Sequence, residues 1–169
     1  RTGFRIRIDD PSQLGGDLVA DTLAVLTDYG PPAVLIDAGT VTTIAAIDSS
    51  RTYLGGCILP GLHRSAGLLQ QTAALLPPID LAGHDGDCLG RNSGDAMRYG
   101  LLLGSAMMVD GFIERYRVLP GMAGAKCVAT GGSARLVTAH CRQAILQDPD
   151  LTLKGLRYLY EGSKNSDRR

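Results

Sequence analysis

The sequence predicts an α/β protein in which one partly antiparallel sheet carries helices on its faces. Three observations lead there. The run from Val34 to Asp48 reads as two apolar, β-branched strands around the small turn Ala38-Gly39-Thr40. The stretch from Asp95 to Arg117 is apolar on most sides, free of proline, and long enough for an extended helix. Lys126 to Thr130 is again strand-like and is followed by Gly131-Gly132 and a short helical pattern, so that strands and helices alternate toward the C-terminus.

Taken in order, Phe4 to Ile8 alternates like a strand, and Asp9-Asp10-Pro11-Ser12 turns the chain. The opening inside a sheet suggests that an earlier part of the protein precedes Arg1. A helix is expected from Asp17 to about Tyr29, stopped by Gly30-Pro31-Pro32. The hairpin follows. Arg51 marks a turn, Tyr53 to Leu59 is a third strand of that group, and Pro60-Gly61 ends it. Helices are expected from Leu62 to about Leu76, from Gly94 or Asp95 to Arg117, from Ser133 to Cys141, and from Leu151 to Glu161. The region Ala82 to Asn92 reads as a loop, and Gly162 to Arg169 as a polar tail. Residues 1–161 therefore form one domain.

The 169 residues carry 17 basic and 17 acidic side chains, a balance that gives no support for nucleic acid or an anionic membrane as the main partner. No apolar run reaches the length of about eighteen residues needed for a membrane span. Cys57, Cys88, Cys127 and Cys141 have neither CxxC spacing nor a nearby histidine pair and read as reduced thiols of a cytoplasmic protein. His63, His84 and His140 are scattered and read as structural or exposed.

Three polar stretches could carry chemistry. In the hairpin, Asp37, Thr40, Thr42 and Thr43 can face one point, where a carboxylate holds a cation and hydroxyls and N–H groups hold phosphate oxygens. The same residues also suit an ordinary hairpin. Gly15-Gly16-Asp17 leaves room for a ligand at a helix start, with Asp17 as a general base for a substrate hydroxyl or simply a first-turn acid. Thr130-Gly131-Gly132 can admit a nucleotide close to the backbone or can be a plain turn. Ser93 reads as the cap of the long helix. Neither a GxGxxG turn after a strand nor a GxxxxGK[ST] loop is present.

Together the pieces resemble type III pantothenate kinase, a bacterial family of the acetate and sugar kinase, heat-shock protein and actin superfamily that also includes proteins described as accessory factors of a virulence regulator. Gly15-Gly16-Asp17-Leu18 stands where the family has Gly-Ala-Asp-Arg, and Asp37 to Thr43 resembles its DxGTATT phosphate motif. Gly55 to Leu62 resembles GGAIxPGL, and Leu75-Leu76-Pro77 and Asn92-Ser93 resemble ALLP and NT. Ala129 to Gly132 resembles ATGG, and Asp148 to Leu156 resembles DPxLTLxGL.

The resemblance implies a ribonuclease H-like, actin-like lobe with a mixed sheet flanked by helices. It implies transfer of the ATP γ-phosphoryl group to the primary hydroxyl of pantothenate. By position, Asp17 would be the catalytic base, and Gly15, Gly16, Asp17, Leu18 and Ser93 would line the pantothenate site. Gly39, Thr40, Thr43, Gly131 and Gly132 would contact ATP. Asp37 would hold a monovalent cation, potassium or ammonium, and magnesium would accompany ATP. A homodimer built through this lobe is implied as well. Two departures stand out: the family's DxGNT hairpin and first lobe are absent, and Leu18 replaces an arginine that contacts pantothenate in the family. The alternatives are a catalytically weak regulatory relative and an actin-like kinase for another small hydroxylated substrate.

Overall fold

The computed structural model describes residues 3–73, 75–82 and 88–166. Its strands are β1 (Arg5–Ile6), β2 (Ala33–Ala38), β3 (Val41–Ile47), β4 (Thr52–Pro60), β5 (Lys126–Thr130) and β6 (Ile145–Gln147). Its α-helices are α1 (Gly16–Asp28), α2 (Leu62–Thr72), α3 (Ser93–Arg117), α4 (Ala134–Thr138) and α5 (Leu151–Ser166). The strands form one sheet in the order β1-β4-β3-β2-β5-β6. The pairs β4–β3 and β3–β2 are antiparallel, whereas β1–β4, β2–β5 and β5–β6 are parallel.

β2 and β3 lie at the middle of this sheet, and both are apolar on both faces because helices cover both. One face packs Val34, Ile36, Ile44 and Cys127 against Leu62 of α2, Leu102, Val109 and Ile113 of α3, and Val137 of α4. The other packs Leu35, Ala45, Ile47 and Val128 against Ala24, Val25 and Leu26 of α1 and Leu151 of α5.

Local chemistry accounts for the boundaries. Gly30, at φ +75°, takes the left-handed position after α1 and donates to Val25 O at 3.1 Å. The turn before β4 is held by Asp48, whose Oδ1 accepts from the N–H groups of Ser50 and Thr52, each at 2.9 Å. The cap of α3 is Asn92, not Ser93. Asn92 Oδ1 accepts from Asp95 N at 2.9 Å, and its amide donates to Asp95 Oδ2 at 2.6 Å. Ser93 is the first helical residue.

Other expectations are corrected. β1 is shorter than Phe4–Ile8, α2 stops at Thr72, and α4 is only one turn long. α5 runs on through Ser166, into the stretch read as a tail. β6 was not expected at all: a three-residue strand has no period to read, and its pairing with β5 creates it. Much of the loop at Ala82–Asn92, His84 included, lies outside the described residues.

α5 is clamped onto α1. Asp148, before α5, accepts from Tyr29 Oη at 2.8 Å and Lys154 Nζ at 2.6 Å. Tyr158 Oη donates to Asp28 Oδ1 at 2.7 Å. At the crossing, Gly155 touches the α1 backbone, and a Cβ there would overlap the carbonyl group of Ala20. The closing DPDLTLKGL stretch is thus a docking element for α1.

Replacing Gly155 by Ala must push two helix backbones apart, so Gly155→Ala is expected to lower unfolding free energy by about 1–3 kcal/mol. Gly67→Ala, in α2 with nothing within 4 Å of the new methyl, should be neutral or stabilising by about 0.5–1 kcal/mol. Urea denaturation of the two variants measures the contrast.

Candidate active site

The site is built where β2 ends. In register, Asp37 lies beside Thr43 of β3 and Thr130 of β5, and Thr43 lies beside Ile58 of β4. All four project from the face that α1 covers, because side chains alternate along each strand.

Backbone crowding fixes this strand end. Gly131 has φ +94°, and a Cβ on it would come within 2.6 Å of the Ala38 carbonyl carbon and 2.7 Å of Asp37 Oδ1. Ser133 N donates to Ala38 O at 2.8 Å, which ties the β5–α4 turn to β2. A Cβ on Gly61 would overlap the carbonyl oxygens of Gly39 and Thr40. Gly61 N donates to Thr40 O at 3.2 Å. Three chain segments therefore meet at the Gly39-Thr40 turn, with no room for a Cβ at Gly61 or Gly131.

The start of α1 brings in acids. Gly15 is its cap and has no side chain to offer. Asp17 folds back, so that its Oδ1 accepts from Leu18 N at 2.8 Å and occupies the space of a Gly15 Cβ. One turn on, Asp21 is wholly buried, and neither of its carboxylate oxygens has a hydrogen-bond partner. Burial pushes its pKa up to about 6. The nearby Thr152 hydroxyl pulls it down, while the charges of Asp37 and Asp17 add to the rise. Burial and the charge of Asp17 likewise raise Asp37 above the usual carboxylate range. Asp17, Asp21 and Asp37 thus form one electrostatic group.

Two clefts flank the turn. One, of about 490 Å³, is lined by Gly39, Thr40, His63, Arg64, Gly132 and Ser133. It combines two glycines, two hydroxyls and a guanidinium, a set suited to phosphate oxygens. The other, of about 320 Å³, is lined on one side by Ile8, Asp9, Asp10, Gln13, Leu14 and Leu18, and on the other by Thr43, Tyr53, Gly55, Gly56 and Ile58.

The expected residues thus fall into distinct places. Gly39, Thr40 and Gly132 line the first cleft, and Gly131 supports it from behind. Thr43, grouped with them in the sequence reading, lines the second cleft with Leu18. Gly15, Gly16 and Asp17 are at the α1 start, next to Leu18. Ser93 belongs to neither cleft. It lines a third with Leu69, Leu76, Ala96, Met97, Gly100 and Leu101, on the side of the sheet away from α1.

Three residues escaped the sequence reading. His63 was read as structural or exposed; it and Arg64 sit in the phosphate-like cleft, and their position just after the Pro60-Gly61 helix start was the available signal. Asp21 looked like an ordinary helical acid, yet it is buried and faces Thr152 of α5.

The family model described as type III pantothenate kinase matches residues 1–115. The chain belongs to that family. A type III pantothenate kinase of Rubrobacter xylanophilus is 40% identical over 162 residues, covering 94% of this chain and 61% of the relative. One from a Geobacillus species is 37% identical over 169 residues, covering 100% of this chain and 64% of the relative. The chain therefore spans less than two thirds of the length of these relatives.

Among solved structures, a conserved Baf family protein from Campylobacter jejuni aligns with a TM-score of 0.69 at 24% identity, covering 96% of this chain and 70% of that one. An activator of 2-hydroxyisocaproyl-CoA dehydratase from Clostridium difficile, solved with bound ADPNP, aligns with a TM-score of 0.55 at 13% identity, covering 90% and 68%. Both likenesses concern the fold, which is the actin-like architecture with its mixed sheet and flanking helices.

Asp21 sets a pH signature. In the unfolded chain its carboxyl loses its proton near 3.8, in the folded chain near 6. The native state therefore holds the extra proton between those values, and stability falls as pH rises through them. Asp21→Asn is expected to match the wild type near pH 4 and to be more stable by about 3 kcal/mol at pH 8. Denaturant titrations at the two pH values test this.

Proposed function

We propose that the chain is the catalytic half of a kinase that moves the ATP γ-phosphoryl group to the primary hydroxyl of pantothenate, giving 4'-phosphopantothenate for coenzyme A synthesis. The observation that carries this reading is the union, at one strand end, of the Asp17–Asp37 acid pair with a glycine-rich cleft holding Thr40 and Arg64. In this reading ATP phosphates lie along Gly39, Thr40 and Gly132, Arg64 balances their charge, and His63 lines the same cleft. Asp17 accepts the proton of the attacking hydroxyl. Gly15 and Gly16 let the substrate reach it without obstruction. Catalysis is then positioning plus charge neutralisation.

The donor set also suits a weakly held monovalent cation, potassium or ammonium. Asp37 is a desolvated carboxylate with no ion-pair partner among the described residues, next to the Ala38 carbonyl. Among the described residues no group of three His, Cys, Asp or Glu side chains could chelate a metal ion. Such an ion would offset the acid pair and the phosphate charge, and magnesium would enter with ATP.

We propose further that a second actin-like lobe, with the other phosphate hairpin, completes the cleft, and that two copies associate through α3. Gly100 and Gly104 meet nothing within 4 Å, and Met107 and Met108 are exposed beside them. Phe112 and Leu101 are partly buried against the core. Met97 of the same helix is buried. Ser93 lies across the sheet from Asp17, so an association of this kind is its route to an acceptor site. No helix among the described residues is long and apolar enough to cross a membrane.

A coupled assay with ATP, magnesium and potassium tests the reading. The full-length protein should turn over pantothenate, and the 169 residues by themselves should not. In the full-length protein Asp17→Asn should lose at least about a hundredfold in turnover, with ATP affinity little changed. Substantial turnover by that variant would remove Asp17 from the role of base. For the association, sedimentation should give a dimer mass for the wild type and a monomer for Met108→Glu.

A further inference from the structure

Among the described residues, the buried side-chain oxygens without a hydrogen-bond partner sit on two neighbouring positions of α1. They are both carboxylate oxygens of Asp21 and the hydroxyl of Thr22. Both residues are wholly buried. A helical threonine ordinarily turns its hydroxyl back to the carbonyl four residues earlier. Thr27 of α1, Thr72 of α2 and Thr138 of α4 all do so, at 2.7, 2.7 and 2.8 Å. Thr22 does not.

An ionised carboxylate can only accept, so a buried one needs donors or a positive charge. The surroundings of Asp21 provide neither. The charges that reach it belong to Asp37 at the end of β2 and Asp17 at the head of α1, and both are acids. From α5, Thr152 faces it without closing a hydrogen bond. Lys154, on the same helix as Thr152, is engaged elsewhere, by Asp148 at 2.6 Å and Asp28 at 3.8 Å. Among the described residues the chain thus supplies no counter-charge at this point. Two carboxylates with neutral oxygens nearby suit a singly charged ion that prefers oxygen, whereas no trio of His, Cys, Asp or Glu among the described residues could chelate a metal.

We infer that Asp21 is a second, buried carboxylate for the monovalent cation proposed at Asp37, so that α1 and the end of β2 share one ion. The inference rests on that proposal and deepens it. One positive charge offsets two acids that otherwise repel each other. In this role Asp21 is a positioning residue. It stands one turn beyond Asp17 on the same helix, so whatever fixes Asp21 relative to Asp37 also fixes Asp17.

The test reads ion binding as well as stability. Thallium(I), a potassium-sized probe, is titrated into the full-length protein and followed by thallium NMR, in wild type, Asp21→Asn and Asp37→Asn. Each of the two substitutions is expected to weaken thallium binding at least about tenfold. Glu161→Gln, at an exposed position of α5, should leave it unchanged. Replacing tetramethylammonium chloride by potassium chloride at equal ionic strength should raise the thermal midpoint of the wild type and leave that of Asp21→Asn where it was. A purely structural acid would respond to the two salts alike. Asp21→Ala carries the same expectations should the Asn variant not fold. Wild-type thallium affinity in the Asp21 variant, with binding lost in Asp37→Asn, would overturn the inference and leave the ion at Asp37. A wild type whose midpoint ignores potassium would overturn it too. Absence of thallium binding by the wild type would overturn the ion at Asp37 and the inference together, while the turnover assay still decides the kinase reading on its own.

Discussion

Everything at this site depends on a steric constraint: the segments holding Gly61 and Gly131 approach the β2–β3 turn so closely that neither glycine can bear a Cβ. Gly131 sits against Ala38 and the Asp37 carboxylate, and Gly61 sits against Gly39 and Thr40. Turns of this sort are usually mobile tips. This one is held from two sides, by the segment that follows β5 and the segment that begins α2. The hydroxyl of Thr40 and the carboxylate of Asp37 are thereby placed by main chain, which is stiffer than any arrangement of side chains. Positive φ at Gly131 is the conformational requirement of that closeness.

The second organising fact is electrostatic. α1 and the end of β2 place carboxylates together in partly desolvated surroundings, an arrangement that costs folding free energy. The raised pKa values of Asp21 and Asp37 express that cost. A structure without a use for the cluster would lose nothing by replacing Asp21 with a neutral residue. In the proposed reaction the cluster supplies a proton acceptor and attracts a counter-ion to a place where phosphate charge must also be accommodated. Arg64 stands on the other side of the turn, in the cleft with Thr40.

Much of this was legible in the residues and some was not, for physical reasons. The β2–β3 hairpin was visible because its β-branched runs and its glycine turn are local signals. α1 was equally clear, since Gly30 and two prolines stop it. β6 could not be read, because a three-residue strand exists only through its partner. Ser93 was taken for a cap when Asn92, one residue earlier, has the better acceptor and the reciprocal Asp95. Asp37, Asp17 and Thr40 were singled out because each stands at the end of an element. Asp21 was passed over because a helix pattern shows which residue faces inward but not that a distant helix will seal it from water.

That distant helix has a further consequence. Gly155 of α5 and Ala20 of α1 share a contact with no slack, and Ala20 lies one turn beyond the Asp17 that heads the same helix. Evolution is therefore not free to vary position 155, whatever side chain stands at position 20. A larger residue at 155 demands a shift of α1, and such a shift would carry Asp17 with it. Among descendants of a common ancestor, position 155 should stay glycine wherever the start of α1 keeps its place, a constraint imposed by main chain 135 residues away.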